Sequence, residues 1–477
     1  MIAASNRILI YVLSALVFLA TGFYAYTGNM YVLAVPFIML LSIVLLQHPV
    51  MLLYILLAAI PWSFEIQPVE GLALTFPDEP FMILSTLAGI MLLINHKSGG
   101  RKFAHPLILF LAIQWLWAAV TVVTSTEPVL STKYLLAKSW FLGAFILFPL
   151  HVLNDKKIFK RSVSVLFLSM MGFMFLQLLR HGSFNWSFES VNTTLEPFYV
   201  THVDYSALLV FMVPIQLAIF TLSRNMRIKY LIGFLLLITL IALYFSYGRG
   251  SWLALIAGII SYWLVRKRLL VFSFLVFIAV CISAILWLKS NDRYLQYTTD
   301  YNTTIFHTDF RDHLVATYRM KDVSTAERFH RWIAGVRMTK DSWMTGFGPS
   351  TFYRQYKAYT IPAFKTWVSV NREQSTVHNY FLLMIIEQGV IGLLLFVGLL
   401  VLLFHYAQKI YHRATDPFWK TVAITAAIIL VMQCVINFLS DMIETDKAGS
   451  VFYLCVAAMI MADWNTQNDV SKSSSHV

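Results

Sequence analysis

An arginine between two glycines, Gly248-Arg249-Gly250, separates two long apolar segments of the sequence. An arginine guanidinium can bind phosphate oxygens through two parallel hydrogen bonds, and glycines without side chains let the backbone approach such a ligand closely. The alternative is an interfacial turn whose arginine extends to lipid headgroups. We treat these three residues as a candidate phosphate-binding element.

A second basic element, residues 324–340, combines a helix signature with Arg328 and Arg331. Ser324 and Glu327 form a capping-box pattern, and the apolar residues that follow recur at helical spacing. The pattern predicts an amphipathic helix at a membrane surface, with the two arginines on a different face from the apolar stripe. Either a phosphorylated ligand or anionic lipid headgroups would account for them.

A histidine, His378, begins the third element, where a polar segment meets the next apolar run. Histidine exchanges a proton near neutral pH, so it can act as a general base toward a hydroxyl, although a structural role remains an alternative. Asn379 is a candidate for fixing the ring by a hydrogen bond. Glu387 follows about 13 Å further along a helix, and we expect a buried carboxylate paired with an arginine or a backbone group.

A weaker polar element, Thr201 to Tyr205, precedes another apolar run and contains His202 and Asp204. The two side chains could contact a polar acceptor molecule, but a helix cap would explain Asp204 equally well. The sequence has no metal-ligand spacing, no phosphate-binding P-loop and no Asp-x-Asp pair. It therefore gives no support to a metal ion, a nucleotide or another cofactor.

The composition indicates which elements must position these residues. Of the 477 residues, 58% are hydrophobic and 13% charged, against about 25% charged in soluble domains. This excludes a soluble enzyme and predicts an all-α polytopic membrane protein with about fourteen (twelve to fourteen) transmembrane helices. The first span is interpreted as a retained anchor. The predicted spans are 8–26, 29–47, 49–63, 80–95, 104–124, 134–153, 162–179, 205–222, 230–247, 251–265, 269–288, 378–405, 420–439 and 450–464.

The distribution of lysine and arginine predicts the orientation. If the N-terminus is cytoplasmic, one side of the membrane holds 18 basic residues and the other side, apart from its long loop, holds 5. The positive-inside rule then places both termini in the cytoplasm. The long loop, 289–377, faces outward with five more basic than acidic residues. It calls for an anionic partner there, either lipid phosphates or a phosphorylated substrate, and not nucleic acid.

Five segments follow from this division of the chain. We expect an N-terminal transmembrane bundle, a short core with the Arg249 element and two spans, the outer loop with its amphipathic helix, the C-terminal transmembrane helices and a disordered cytoplasmic tail. Their bounds are 1–247, 248–288, 289–377, 378–464 and 465–477.

Together the three elements resemble the O-antigen ligase and O-antigen polymerase superfamily of bacterial envelope proteins. The resemblance covers about a third of the chain. Gly248 stands where a serine is frequent in the family, and Trp343 where a proline is frequent. The residues that carry the resemblance are Gly248 to Trp252, Arg328 and Trp332, Gly346 to Pro349 with Phe352, His378 and Asn379, and Glu387, Gly389, Gly392 and Leu393.

The resemblance implies a membrane glycosyltransferase of the bacterial inner membrane with a periplasmic active site and no metal or nucleotide. Members transfer a glycan from a polyprenyl (undecaprenyl) diphosphate to a sugar hydroxyl. In this chain Arg249 and Arg328, with Arg331 as a further candidate, would stabilise the diphosphate. His378 would be the base, and direct displacement would invert the anomeric centre. Gly248, Gly250, Asn379 and Glu387 would support them, and His202 and Asp204 would contact the acceptor.

The acceptor remains open between two related functions. A ligase would transfer the lipid-linked oligosaccharide to a lipid A core, in lipopolysaccharide or surface polysaccharide biosynthesis, whereas a polymerase would extend a second lipid-linked repeat. A polysaccharide flippase or transporter is a more distant alternative. Transporters usually have their unusual residues near the membrane midplane, whereas those of this sequence are predicted to lie at one face. An envelope scaffold is a third class. Membrane lipids are expected partners in every case.

Overall fold

The structure, a computed structural model, describes residues 21, 35–69, 72–95, 100–297, 323–366, 369 and 376–474. It confirms an all-α polytopic membrane protein. The eighteen α-helices of the described part, numbered here in chain order, are α1 Val35–Gln47, α2 Pro49–Ala59, α3 Asp78–Asn95, α4 Gly100–Phe103, α5 Pro106–Val123, α6 Pro128–Leu142, α7 Phe148–Val152, α8 Lys156–Gly182, α9 Val191–Leu195, α10 His202–Leu222, α11 Met226–Phe245, α12 Arg249–Arg266, α13 Leu270–Lys289, α14 Val323–Met338, α15 Phe352–Gln355, α16 Tyr380–Arg413, α17 Pro417–Leu439 and α18 Asp446–Ser474.

Within the described residues, ten helices are long and apolar enough to cross a membrane, fewer than the fourteen spans predicted. The predicted span 8–26 lies outside the described residues, apart from Thr21. Residues 29–34 of the predicted span 29–47 also lie outside the described residues, and the helical segments Leu41–Gln47 and Pro49–Trp62, in this span and in the predicted span 49–63, bend by 117° against each other. The predicted span 251–265 is α12, which is not among the ten because an arginine at each end lowers its hydropathy.

Two further features differ from the sequence-based prediction. A small antiparallel hairpin follows α2, with β1 Phe64–Val69 paired to β2 Leu72–Phe76. The polar C-terminal tail, predicted to be disordered from residue 465, instead continues α18 as a helix through Ser474. Side chains early in this tail bond back onto the preceding turn, as in the bond from Asn465 Nδ2 to the Met461 carbonyl (2.7 Å).

Helix α17 is the central helix of the bundle and packs against α10, α12, α16 and α18. At one end of the bundle, here called the loop face, the segments predicted to lie on the outer side of the membrane contact one another. Thr126 N–H, for example, donates to the Phe347 carbonyl at 2.9 Å. The opposite end, the basic face, joins the segments predicted to be cytoplasmic, as in the ion pair between Lys409 Nζ and Asp463 Oδ1 at 3.2 Å. The C-terminal end of α17 lies at the loop face.

Helix α16 is broken at Gly389, and a turn of the long loop fills the break. Gly389 has a φ of +69°, and a Cβ there would lie 1.9 Å from the Met344 carbonyl oxygen. The turn bonds to the helix backbone around the break, with Phe347 N–H donating to Ile386 O and Gly348 N–H to Glu387 O, both at 2.9 Å. The break thereby fixes the long loop against the membrane bundle.

The predicted amphipathic helix corresponds to α14, which begins at Val323 and therefore places Ser324 inside the helix. Its polar side faces the protein, because Glu327, His330 and Arg331 are buried. The apolar side is more exposed, and Trp332 packs edge-on against Phe438 with the ring centroids 5.9 Å apart. The arginine-bearing face thus turns inward, toward the end of α17.

Candidate functional site

His378 lies between a cation and a carboxylate at the loop face. Arg331 Nη1 lies 3.3 Å from His378 Nε2, and Asp441 Oδ1 lies 3.8 Å from His378 Nδ1. Because arginine has only donors, Nε2 must be the accepting nitrogen in this contact. The side chain of His378 is 32% exposed and that of Asp441 17%, so both side chains are accessible to molecules outside the protein.

The backbone around His378 holds this geometry. His378 has a φ of +54°, a left-handed conformation that is uncommon for residues other than glycine. Its N–H donates to Thr376 Oγ1 at 3.3 Å. Tyr380 N–H donates to the Ser440 carbonyl at 3.0 Å. This last bond joins the start of α16 to the residue after α17 and thereby brings Asp441 beside the histidine.

Arg331 is buried and belongs to a chain of polar groups that ends at His378. Its Nη1 also donates to the Thr376 carbonyl at 3.0 Å, and its Nε lies 3.4 Å from Glu327 Oε2. Thr366 and Ser369 donate their hydroxyls to Glu327 Oε1. The carboxylate of Glu327 thus compensates the charge of Arg331, as a buried cation requires.

His330, the neighbour of Arg331 on α14, contributes no charge to this chain at neutral pH. Burial lowers the pKa of the His330 imidazole, and the nearby Glu327 carboxylate only partly opposes that effect. The imidazole is therefore neutral in the folded protein near pH 7.

Arg328 contacts the C-terminal end of α17. Its Nε donates to the carbonyl of Leu439, the last residue of α17, at 3.1 Å, and its Nη1 donates to Ser324 Oγ at 3.0 Å. A helix C-terminus carries partial negative charge on its last carbonyls, so it attracts a guanidinium. The helix end and the loop helix α14 are thereby joined.

The Arg249 element reaches the same helix end from the other side. Arg249 is the first residue of α12, and a Cβ on Gly250 would lie 3.6 Å from Leu439 Cδ1. A Cβ on Gly248 would come within 2.1 Å of Ser206 Oγ on α10. Gly248 has a φ of −77°, so close packing of α12 against α10, and not backbone conformation, requires glycine there.

The three elements identified in the sequence therefore meet at the end of α17. A Cβ on Gly250 would lie 3.6 Å from Leu439 Cδ1, Arg328 Nε donates to the Leu439 carbonyl, and His378 lies beside Asp441 two residues later. Arg328, Arg331 and the His378–Asp441 pair thus lie near the end of α17 at the loop face, and Arg249 begins the neighbouring helix α12.

Asn379 and Glu387 have structural contacts. Asn379 is the N-cap of α16, and its Oδ1 accepts from Leu382 N–H at 3.0 Å. Glu387 accepts from two backbone groups, Ser350 N–H at 2.8 Å and Phe352 N–H at 3.1 Å. Both side chains hold the backbone that carries the site, and Glu387 has the backbone partners expected of it.

His202 and Asp204 lie at the start of α10. Asn192 Oδ1 accepts from His202 N–H at 2.8 Å and lies 2.9 Å from His202 Nδ1. Thr201, not Asp204, is the N-cap, and its hydroxyl donates to Asp204 Oδ2 at 2.8 Å. Ser206, one turn further on, contacts Ser251 of α12 at 2.8 Å between the hydroxyl oxygens, which places this helix start beside the Arg249 element.

A polar cavity of about 370 Å³ adjoins the site. Asp441 and Thr376, which contact His378, belong to its wall. Glu444 also lines the cavity; it accepts from Tyr380 Oη at 2.6 Å and lies 3.6 Å from Lys138 Nζ. The other lining side chains are Leu130, Lys133, Tyr134, Ala137, Phe141, Ser350, Leu383, Glu387, Ile443 and Tyr453.

Sequence reasoning missed Asp441, Thr376 and the pairing of Glu327 with Arg331. For Asp441 a signal existed, because it follows the apolar run 420–439 on the side predicted to be outside. The capping-box pattern predicts a helix cap for Glu327, but the structure pairs it with Arg331, one turn later on α14.

A family model matches the part of the chain that carries three of these elements. Residues 234–397 match the model described as O-antigen ligase, and this range contains Arg249, Arg328, Arg331 and His378 but not Asp441. A search of curated proteins finds no match. The match over this third of the chain supports the resemblance of residues 234–397 to the O-antigen ligase family.

Proposed function

We propose that the protein is a membrane glycosyltransferase of the ligase type. It transfers a glycan from a polyprenyl diphosphate carrier to a sugar hydroxyl at the outer side of the bacterial inner membrane. The observation that carries the proposal is the meeting of Arg328, Gly250 and the His378–Asp441 pair at the end of α17. A polymerase differs only in the acceptor, and no contact at the site favours it over a ligase.

The arginines stabilise the leaving group. When the bond between the sugar and the diphosphate breaks, negative charge develops on the diphosphate oxygens. Preorganised cations lower the energy of that charge most where water is excluded. Arg328, held against the end of α17, and Arg249, at the start of α12, are assigned to this role.

His378 activates the acceptor. It takes the proton of the acceptor hydroxyl while the hydroxyl oxygen bonds to the anomeric carbon and the diphosphate leaves from the opposite side, with inversion. Asp441, beside Nδ1, stabilises the imidazolium that forms. Nε2 faces Arg331 in the resting protein, so we infer that the donor phosphates draw Arg331 away and release this nitrogen.

The polar cavity provides space for the acceptor sugar. Asp441 and Thr376 connect its wall to His378, so a hydroxyl entering from this side approaches the base. Among the described residues, neither the sequence-based acceptor candidates His202 and Asp204 nor His378 itself lines the cavity, but two residues that contact His378, Asp441 and Thr376, do. We therefore favour the cavity as the acceptor site.

The test is transfer by the purified protein in lipid vesicles. A synthetic polyprenyl diphosphate glycan serves as donor. The acceptor is either a lipid A core oligosaccharide or a second donor molecule. Every reaction contains a chelator, because the proposed transfer needs no metal ion. Glycosylation of the core with loss of the donor supports the ligase proposal, and chain extension alone would replace it by a polymerase. Consumption of no donor with either acceptor would overturn both.

A further inference from the structure

An apolar cavity of about 340 Å³ lies within the bundle, on the half nearer the basic face. Its walls come from α2, α8, α10, α17 and α18, with Leu53, Leu166, Ile215, Ile429 and Leu454 among the deeper residues. It shares no lining residue with the polar cavity beside His378. It therefore belongs to neither the donor nor the acceptor site proposed above.

The end of this cavity at the basic face carries positive charge. Lys160 lines it and is exposed, with its Nζ 5.1 Å from the ring centroid of Phe418. Exposed basic residues follow in the adjacent parts of the chain, including Arg161 and Arg224. Two acids lie nearby: Asp416 is paired with Lys156, and Asp155 caps α8 by accepting from Lys157 N–H. The opening thus favours an anionic group.

A buried hydroxyl lies slightly deeper in the same wall. Ser162 is 4% exposed, and its Oγ has no hydrogen-bond partner among the described residues. Ser162 is two residues beyond Lys160 on α8, about 3 Å further into the membrane along the helix axis. A buried hydroxyl without a partner is costly, so an acceptor oxygen at this depth would stabilise the protein.

We infer that the cavity binds an anionic phospholipid from the leaflet at the basic face. The acyl chain fills the apolar part, an ester carbonyl accepts from Ser162, and the headgroup phosphate lies against Lys160. Basic pockets between transmembrane helices bind anionic headgroups in this way. The polyprenyl donor is a poorer fit, because its diphosphate would bind at the opposite face.

Native mass spectrometry of the full chain, released from nanodiscs of mixed phosphatidylglycerol and phosphatidylcholine, tests this inference. Wild type should retain phosphatidylglycerol in preference. Lys160→Glu should lower that preference about five-fold, since one basic residue near an anionic lipid contributes on this scale. Ala458→Phe, which introduces a ring into the cavity wall, should lower the number of retained lipids of both kinds.

Two matched variants control for nonspecific effects. Lys267→Glu, the control for Lys160→Glu, reverses the charge of an exposed lysine in the loop between α12 and α13. Ala284→Phe, the control for Ala458→Phe, adds a ring on the exposed side of α13. Both should retain lipid as wild type does. Absence of retained lipid from wild type, or equal loss in variants and controls, would overturn the inference. A thermal unfolding scan of each variant confirms that it is folded.

Discussion

Two partners decide which nitrogen of His378 can act. Arg331 donates toward Nε2, and Asp441 lies on the side of Nδ1. A carboxylate at that side favours a proton on Nδ1 and leaves Nε2 to accept one. In the proposed reaction, Asp441 would orient the ring and stabilise its positive charge, and Arg331 would move away from Nε2.

Asp441→Asn should lower kcat about ten-fold or more, because general-base catalysis contributes ~10²- to 10⁴-fold and a neutral amide stabilises the imidazolium poorly. The KM for the donor should stay close to that of wild type, since Asp441 contacts the histidine. Initial rates at varied donor concentration separate the two constants. An unchanged kcat would remove Asp441 from the mechanism.

Arg328→Lys should lower kcat/KM for the donor about ten-fold, because a lysine keeps the charge but loses the planar two-pronged donor arrangement and a charge-assisted hydrogen bond to the leaving diphosphate. Arg337→Lys is the matched control on the same helix, since Arg337 is exposed and donates to the Tyr359 carbonyl at 3.0 Å. Equal kinetics for both variants would show that Arg328 does not bind the donor.

The residue types were enough to select the candidate site residues, but not to predict which of these residues contact one another. His378, Arg249 and Arg328 could be selected because their chemistry suits phosphate and proton transfer. Asp441 could not be paired with His378, because the pairing depends on how the end of α17 meets the start of α16. Glu327 was misinterpreted because a capping box and a buried ion pair use the same residue types.

The break in α16 is the element that fixes the long loop to the bundle. Its position near Gly389 follows from the positive φ and the close approach of Met344. Hydropathy alone predicts a continuous span at 378–405, since a broken helix keeps its apolar residues. The sequence therefore predicts the helix, but not that the loop residues around Gly346 dock into it.

Gly389→Ala should destabilise the protein, because a left-handed backbone costs an alanine about 1–2 kcal/mol and the added Cβ collides with the Met344 carbonyl. The expected result is a lower Tm and reduced transfer. Gly233→Ala is the control, since a Cβ there meets nothing within 4 Å and alanine is favoured in helices by about 1 kcal/mol. A Tm for Gly389→Ala at or above that of the control would contradict this account of the break.

At the scale of the whole molecule, the two faces of the bundle follow the division that basic residues predict. The described loop segments meet at one face, and the lysine-rich connections meet at the other. The sequence could predict this division because each span crosses the membrane, so that successive connections lie on opposite faces. It could not give the packing around α17, which depends on the shapes of side chains from distant spans.

Orientation in the membrane is tested by cysteine labelling. The native cysteines, Cys281, Cys434 and Cys455, are replaced by serine, and a single cysteine is introduced at exposed Lys340 or Arg224. The excess of basic residues on one side predicts that an impermeant maleimide labels position 340 in intact cells and position 224 only after permeabilisation. The reverse pattern would place the site in the cytoplasm.

The central claim is that His378 performs the proton transfer in glycan transfer from a lipid diphosphate. The most direct test compares wild type and His378→Ala in vesicles, measuring transfer to the acceptor together with donor binding. We predict a loss of at least about a hundred-fold in rate, with donor binding and Tm retained. Transfer by His378→Ala at the wild-type rate would contradict the account.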